Sequence, residues 1–416
     1  MPPSSDSAPV SAGDVGRVFR EGSGRAVAVL IRIFGDIDVA EDAVQDAFAI
    51  ALETWTATGL PPNPSAWIIT TGRNRAIDRL RRESLGRAVL SDVVRERIAA
   101  EQQAEPAHES VDDDQLRLIF TCCHPALSAE AQVALTLRLL CGLATRDVAR
   151  AFLALEATMA QRLVRAKRKI KSASIPYRVP AQDELPARLP PVLAVTYLVY
   201  NAGAGRDPRD CAGPDDLCAE GIRLARSLHA LMPEEPEVAG LLALLLLNAS
   251  RRTARFADDG SLVLLRDQAR QAWDRRMIHE GQTLLRACIA RDEAGPYQLQ
   301  AAIQAVHADA LTASQTDWPQ ILALYDELLH MTGTPVVALN RAIALGEVQG
   351  PAAALAIVDG LELAGYYLFH ATRADCLRRL ARHGEAAAAY REAAALSPGA
   401  MERKFLLSRA DECADG

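Results

Sequence analysis

The chain has 416 residues, of which 50% are apolar and 24% charged, and its net charge is −7. Because single hydrophobic cores seldom exceed roughly 300 residues, this length predicts two to four domains. Aromatic residues are only 5% of the chain while Ala and Leu are abundant, which favours helices over sheets. No stretch reaches the roughly 20 apolar residues that a membrane span needs, so we expect no membrane segment.

The N-terminal residues 1–14 lack the basic and apolar regions of a signal peptide and are expected to be a disordered lead-in. The eight cysteines lack the spacing of a disulfide framework, which favours reduced thiols and a cytoplasmic location. Residues 1–175 contain 22 basic and 22 acidic residues, so residues 176–416 carry the whole net charge. Any basic function is therefore expected in the first part of the chain.

The stretch "DVAEDAVQDAFAIALETW" is the first strongly patterned element. It predicts a helix with Asp38 as N-cap and Glu41 three residues later. The apolar positions form a stripe that should be buried: Val44, Phe48, Ala51 and Trp55. The opposite face is acidic: Asp42, Gln45, Asp46 and Glu53. Because an acidic face repels DNA, we expect it to meet solvent or a basic protein partner.

A second predicted helix covers residues 63–83 and begins at Asn63 followed by Pro64. Five positions share one face of this helix: Trp67, Thr71, Asn74, Asp78 and Arg81. An aromatic ring beside amide and guanidinium donors is suited to unstacked bases of single-stranded DNA. Two alternatives stay open, because Trp67 could be a core residue and Asp78 could simply pair with Arg82.

Residues 128–171 predict three helices in succession. Ser128 caps the first helix and Gly142 ends it, Thr145 caps a short second helix, and the third contains "TMAQRLVRAKRKIK". That last stretch has six basic residues and no acidic one. Its helical spacing predicts a buried arc of Met159, Leu163, Ala166 and Ile170. The opposite, polar arc contains Thr158, Gln161, Arg162, Arg165, Arg168 and Lys169.

This arrangement is typical of a helix-turn-helix, whose last helix presents its first residues to base edges and its basic residues to phosphates. The alternative is a solvated charged helix without a DNA partner. Between the two basic elements, Cys122 and Cys123 precede a histidine, but no metal-ligand spacing follows them. Buried thiols are the favoured reading, a redox role stays open, and no cofactor or catalytic motif is expected.

The last part of the chain contains an internal repeat. Amphipathic segments open at Trp318, Pro351 and Glu385, in steps of 33 and 34 residues, and each follows another amphipathic stretch. A two-helix unit near this period predicts TPR-like repeats, which present a concave surface to a protein or peptide. Alternatively, the repeats only support the preceding domains.

Taken in order, "AEDAVQDAF", "AWIITTGRNRAIDRLRRE" and "TMAQRLVRAKRKIK" resemble the extracytoplasmic-function (ECF) sigma factors of bacterial RNA polymerase. The later stretches, "AVTYLVYN" and "PEVAGLLALLLLNASRR" among them, resemble the subgroup with a long C-terminal TPR-like extension. The resemblance implies an all-α protein and a non-enzymatic transcription initiation factor. Its implied partners are core RNA polymerase and promoter DNA.

The resemblance also implies roles for particular residues. Polymerase binding is implied for Asp42, Gln45, Asp46 and Phe48. Contact with the −10 element is implied for Trp67, Arg73, Asn74, Asp78, Arg81 and Arg82. Contact with the −35 element is implied for Thr158, Gln161, Arg162, Arg165 and Lys169.

The expected division is a lead-in over 1–14, region 2 over 15–84, a linker over 85–110 and region 4 over 111–175. A helical extension over 176–300 and TPR-like repeats over 301–416 should follow. Two rival functions remain, a helix-turn-helix regulator without sigma activity and a TPR scaffold whose N-terminal helices bind only protein.

Overall fold

The computed structural model describes residues 11–84, 108–152, 154–181, 183–205, 209, 216–397 and 399–414. Within these ranges the regular structure is helical, apart from an isolated antiparallel bridge between Phe256 and Leu262. The all-α prediction is therefore confirmed. Most of the predicted lead-in and of the predicted linker lies outside the described residues.

The chain forms two compact units, one of residues 1–202 with 219–231 and the other of residues 203–218 with 232–416. The helices of the first unit, two of which continue across its limits, are α1 Ala12–Phe34, α2 Ile37–Thr58, α3 Pro64–Ser84, α4 His108–Cys122, α5 Ala129–Leu135, α6 Thr145–Ala151, α7 Glu156–Ser172, α8 Leu185–Ala204 and α9 Leu217–Leu231. The first unit thus extends beyond residue 175, where the sequence led us to expect a domain boundary.

Helices α1, α2 and α3 pack against one another as a bundle. The predicted stripe on α2 is buried: Val44, Phe48, Ala51 and Trp55. The predicted start of α2 was wrong, because the Asp36 carboxylate caps it by accepting from the backbone N–H groups of Asp38 and Val39. At the start of α3, Asn63 accepts from the N–H of Ala66 at 3.0 Å, as predicted.

Helices α5, α6 and α7 follow the predicted order. Ser128 caps α5, which continues into a π-helical turn at Thr136–Leu140. Thr145 is the first residue of α6 and not its N-cap, because the first backbone bonds of the helix run to the carbonyl of Ala144. The predicted arc of α7 is buried: Met159, Leu163, Ala166 and Ile170.

Two glycines allow α1 to lie close to the end of the π-helical turn. A Cβ atom on Gly24 would come within 2.6 Å of the carbonyl oxygen of Leu140. Gly142 adopts a φ of 69°, in the left-handed region, and a Cβ there would meet the Ser23 hydroxyl at 2.3 Å. The helices around α7 are therefore packed directly against the α1–α3 bundle.

The second unit is an array of successive helices with several 3₁₀ turns in the segments that connect them. Its described helices, besides the end of α8 and the beginning of α9, are α10 Pro236–Ala249, α11 Arg275–Ile289, α12 Pro296–Asp309, α13 Trp318–Thr332, α14 Pro335–Gln349, α15 Pro351–Val358, α16 Tyr367–Arg379, α17 His383–Leu396 and α18 Ala400–Ala414. Helix α10 is apolar on all sides and buried. From α13 onward, each helix packs on its neighbour in sequence and shares small apolar cores with it.

Candidate nucleic-acid interface

Helix α7 places its polar side chains on the surface of the first unit. Every residue with a predicted −35 role is exposed: Thr158, Gln161, Arg162, Arg165 and Lys169. The positive face exists because the apolar residues at helical spacing fix which side of α7 turns inward. The Arg162 guanidinium lies 3.4 Å from the Glu130 carboxylate of α5, and both side chains are well exposed. Such an exposed pair costs little to break, so Arg162 is available to an anionic partner.

Helix α3 carries the second basic surface. Three residues of the predicted −10 set, Asn74, Asp78 and Arg81, are exposed on it. Arg82 is also exposed, but its Nε donates to the backbone carbonyl of Asp78 at 3.2 Å, so the side-chain pair considered from the sequence does not form. These four side chains therefore lie on the exposed surface of α3.

The N-terminal half of α3 is more enclosed. Trp67 is half-buried, and its ring packs edge-on against Trp55 of α2 with centroids 5.2 Å apart. Arg73 is also half-buried, and its Nε has no hydrogen-bond partner among the described residues. Trp67 thus combines the two readings left open by the sequence, since one part of the ring is packed and another part is accessible.

The acidic face of α2 is paired internally along one edge. Arg79 of α3 lies 2.6 Å from Asp42 and 3.4 Å from Asp46, and all three side chains are exposed by more than a third. Gln45 is exposed beside them and donates to Glu41. Phe48 differs from the other three residues with an implied polymerase role, because it is buried at 5% exposure against Phe19. It supports the acidic face from inside the bundle.

A second contact to α2, which sequence reasoning missed, comes from α5–α7. Glu41 accepts from Arg138 at 2.5 Å and from Lys167 at 3.1 Å, and Lys167 also pairs with Asp38. The side chains of Glu41, Arg138 and Lys167 are each only 13–16% exposed. These three residues form what we call the Glu41 cluster. It joins the helix with the predicted polymerase role to the helix with the predicted −35 role.

Electrostatics support this contact. Burial by itself lowers the pKa of Lys167, but the hydrogen bonds and negative charges of Asp38 and Glu41 outweigh it and raise the pKa overall. Lys167 lies at the margin between the buried and exposed arcs of α7. From sequence, only this marginal position could have indicated an intramolecular role.

A further contact, which we call the Tyr177 junction, connects the start of the extension to α1 and α4. The Tyr177 hydroxyl lies 2.8 Å from the carbonyl oxygen of Ala28 on α1 and 3.1 Å from that of Asp114 on α4. The Asp114 side chain is fully buried and accepts from Arg32 of α1 at 2.6 Å and from Arg117 at 3.0 Å. Burial, with the Asp114 charge nearby, raises the pKa of Tyr177 well above its usual range, so the hydroxyl stays a donor.

The cysteines that the sequence singled out are enclosed. Cys122 and Cys123 are both buried, and burial raises the pKa of the Cys123 thiol to about 12 and that of Cys122 well above its usual value. The thiolate needed for redox chemistry or metal binding is therefore scarce at neutral pH. Within the described ranges, no three His, Cys, Asp or Glu side chains gather in a way that could hold a metal ion.

Comparison with known proteins gives two family matches. Residues 18–85 match sigma-70 region 2, and residues 188–289 match a family of unknown function, DUF6596. An uncharacterized protein of Rhizobium meliloti (strain 1021) is 43% identical over 399 residues, which cover 94% of this chain and 93% of the relative. The chain belongs to the family of this relative and carries a sigma-70 region 2 domain. No solved structure matches.

Region 2 contains α1, α2 and α3, and so includes both the acidic face and the basic α3 surface. Its presence supports a sigma-factor role in promoter recognition with RNA polymerase, and it implies binding to the core enzyme. In the part of the chain that the structure describes, no helix is long and apolar enough to cross a membrane.

Proposed function

We propose that this protein is an ECF-type sigma factor, a non-enzymatic subunit that directs core RNA polymerase to specific promoters in the bacterial cytoplasm. The observation that carries the proposal is a region 2 domain followed in the same compact unit by α7, whose basic face is exposed and whose apolar face is buried. In this proposal region 2 captures the −10 element and α7 reads the −35 element.

The −35 role rests on the chemistry of the exposed face of α7. Thr158 and Gln161 lie near its N-terminal end, where a recognition helix meets base edges. Arg162 and Arg165 can each donate two hydrogen bonds to a guanine, and Lys169 can neutralise a phosphate. The two helices before α7 supply the support that a lone charged helix would lack.

The −10 role rests on the exposed end of α3. Asn74 and Arg81 present donors to unpaired bases, and the accessible part of Trp67 offers a stacking surface. On α2, the exposed side chains of Asp42, Gln45 and Asp46 are the part of region 2 suited to a basic surface on the polymerase.

We further propose that the extension braces the sigma domains. Residues 176–202 belong to the same compact unit as region 2, and Tyr177 reaches backbone carbonyls on both α1 and α4. Arg188 adds a bond from α8 to the carbonyl of Phe120 at 2.9 Å. In this proposal the successive helices α13–α18 of the second unit are TPR-like repeats and offer a surface for a protein or peptide partner.

Run-off transcription with purified core polymerase tests the sigma proposal. The full-length protein should start transcription without another sigma factor, and an Arg162→Ala, Arg165→Ala variant should lose initiation at promoters that depend on the −35 element. Sequence-specific DNA binding without initiation would instead identify a helix-turn-helix regulator. A protein that shows neither DNA binding nor initiation would fit the TPR scaffold instead.

A further inference from the structure

The second unit contains a cavity of about 820 Å³ bounded by residues of α12–α18 and of three neighbouring 3₁₀ turns. Its wall is largely apolar and includes Trp318, Ile343, Tyr390 and Phe405. The volume lies in the range of roughly 300–1,000 Å³ that is typical of sites for one small organic molecule. The cavity is remote in sequence from the residues with proposed sigma roles.

One charged group in the wall is unusual. Arg270 is only 4% exposed, and its guanidinium packs 4.7 Å from the centre of the Trp273 ring. It donates to the carbonyl of His307 and, at 3.2 Å, to the hydroxyl of Thr316. An arginine has five N–H donors, and the Nε of Arg270 is buried without a partner among the described residues.

The acidic residues in the wall do not neutralise Arg270. Glu347 pairs with Arg379 at 2.7 Å, and Asp375 pairs with Arg378 at 2.7 Å. Among the residues that the structure describes, no carboxylate pairs with Arg270. Burying a cation costs free energy unless an anion or a full set of hydrogen bonds compensates it, so this site is incomplete as it stands.

The neighbouring histidine does not add a second charge. His307 is 6% exposed, and burial, with Arg251 and Arg270 nearby, lowers its pKa to about 3. At neutral pH the wall therefore combines the buried Arg270 cation with a neutral ring and apolar surface. That combination matches a molecule with an anionic head and an apolar body. The other arginines of the wall, Arg266, Arg379 and Arg409, are more exposed and each pairs with a carboxylate.

We propose that this cavity binds a small amphipathic carboxylic acid, with its carboxylate on Arg270 and its apolar body against Trp318 and Phe405. A carboxylate can accept two of the N–H donors that His307 and Thr316 leave unused on the guanidinium. The cavity then acts as a ligand site within the extension. Its occupancy does not depend on any proposed sigma activity.

Isothermal titration of the full-length protein tests the site. The probes are decanoate and 4-phenylbutyrate, each compared with its uncharged amide. We expect saturable one-to-one binding of at least one acid and binding of its amide at least tenfold weaker. No binding of either acid up to about 1 mM, or equal binding of acid and amide, would overturn the proposal.

Variants place the binding in the cavity. Arg270→Gln should abolish the preference for acid over amide, and circular dichroism must show that it folds, because Arg270 also holds His307 and Thr316. Ile343→Glu is the safer change, because Ile343 is 40% exposed at the rim and a carboxylate there would repel the ligand. It should weaken binding of the acid at least tenfold.

Val336→Glu is the matched control, since Val336 lies on the same helix, is 39% exposed and is not part of the cavity wall. It should leave binding unchanged. Equal weakening in both variants would show that net charge and not the cavity matters. Binding of a Leu-rich octapeptide with a free C-terminal carboxylate, but of neither small acid, would identify a peptide groove and would also overturn the proposal.

Discussion

Replacing Glu41 with Gln tests whether the Glu41 cluster stabilises the contact between α2 and α7. The change keeps the shape of the side chain but removes the charge that faces Arg138 and Lys167. Arg138 and Lys167 are only 14% and 16% exposed, and both would lose the anion that they share. Arg138 would keep its bond to the carbonyl of Leu143, and Lys167 would keep Asp38.

The expected loss of folding stability in Glu41→Gln lies between two limits. Removing one partner of a fully buried ion pair costs roughly 3–5 kcal/mol, whereas an exposed pair contributes about 0–1 kcal/mol. Because the cluster is mostly but not fully buried and each cation keeps a second partner, we expect a destabilisation of about 2 kcal/mol. Asp42→Asn is the matched control, since its pair with Arg79 is 39–55% exposed and should be worth less than about 1 kcal/mol.

Hydrogen exchange followed by mass spectrometry is the assay, because it reports the opening of α2 and α7 separately from the second unit. Amides in both helices should exchange faster in Glu41→Gln than in Asp42→Asn. Equal exchange in the two variants would refute the inference that burial makes the Glu41 cluster the stronger contact.

The pKa of Lys167 adds a pH readout. Because the folded protein raises this pKa, the contribution of the charged amine is present below the ordinary value of 10.5 and is lost as pH rises above it. The stability difference between wild type and Lys167→Met should therefore be constant from pH 7 to about 9 and shrink above about 10.5. A difference that grows in that upper range would contradict the assigned direction.

Three further predictions follow from the exposed faces and from the Tyr177 junction. Arg165→Ala should weaken binding to a −35 duplex by about 1–3 kcal/mol in a sequence-dependent manner, whereas Lys171→Ala should weaken binding to all duplexes similarly and lower the salt dependence of binding by about one phosphate contact. Similar behaviour of the two variants in fluorescence anisotropy would argue against base contact by Arg165. Asn74→Ala should reduce permanganate reactivity at the −10 element while core polymerase is still captured in a pull-down, and the reverse result would exchange the roles of α3 and α2. Tyr177→Phe should lower the free energy of unfolding in urea by about 0.5–1.5 kcal/mol and reduce run-off transcription. Tyr367→Phe is the control and should change neither, because the Tyr367 hydroxyl has no hydrogen bond to a described residue. Equal effects of the two variants would contradict the bracing proposal.

The local features of the first unit could be predicted from the sequence because they depend on neighbours within one or two turns. The spacing of Met159, Leu163 and Ala166 indicates which face of α7 is buried, and the same spacing leaves the basic residues outside. Asn63 and Ser128 could be recognised as caps because a cap involves only the first turn of its helix. Asp36 was missed because another aspartate two residues later fits the same pattern.

The tertiary structure alone decided which charges meet. Glu41 and Lys167 are 126 residues apart, Tyr177 and Ala28 are 149 apart, and nothing in the local pattern of either segment distinguishes them from exposed residues. For the same reason, the sequence does not distinguish Arg270 from a surface arginine, and only the folded structure shows it buried beside His307 and Thr316. Helix formation follows short-range periodicity and was predictable, whereas the burial of a charge depends on segments that are distant in the chain and adjacent only after folding.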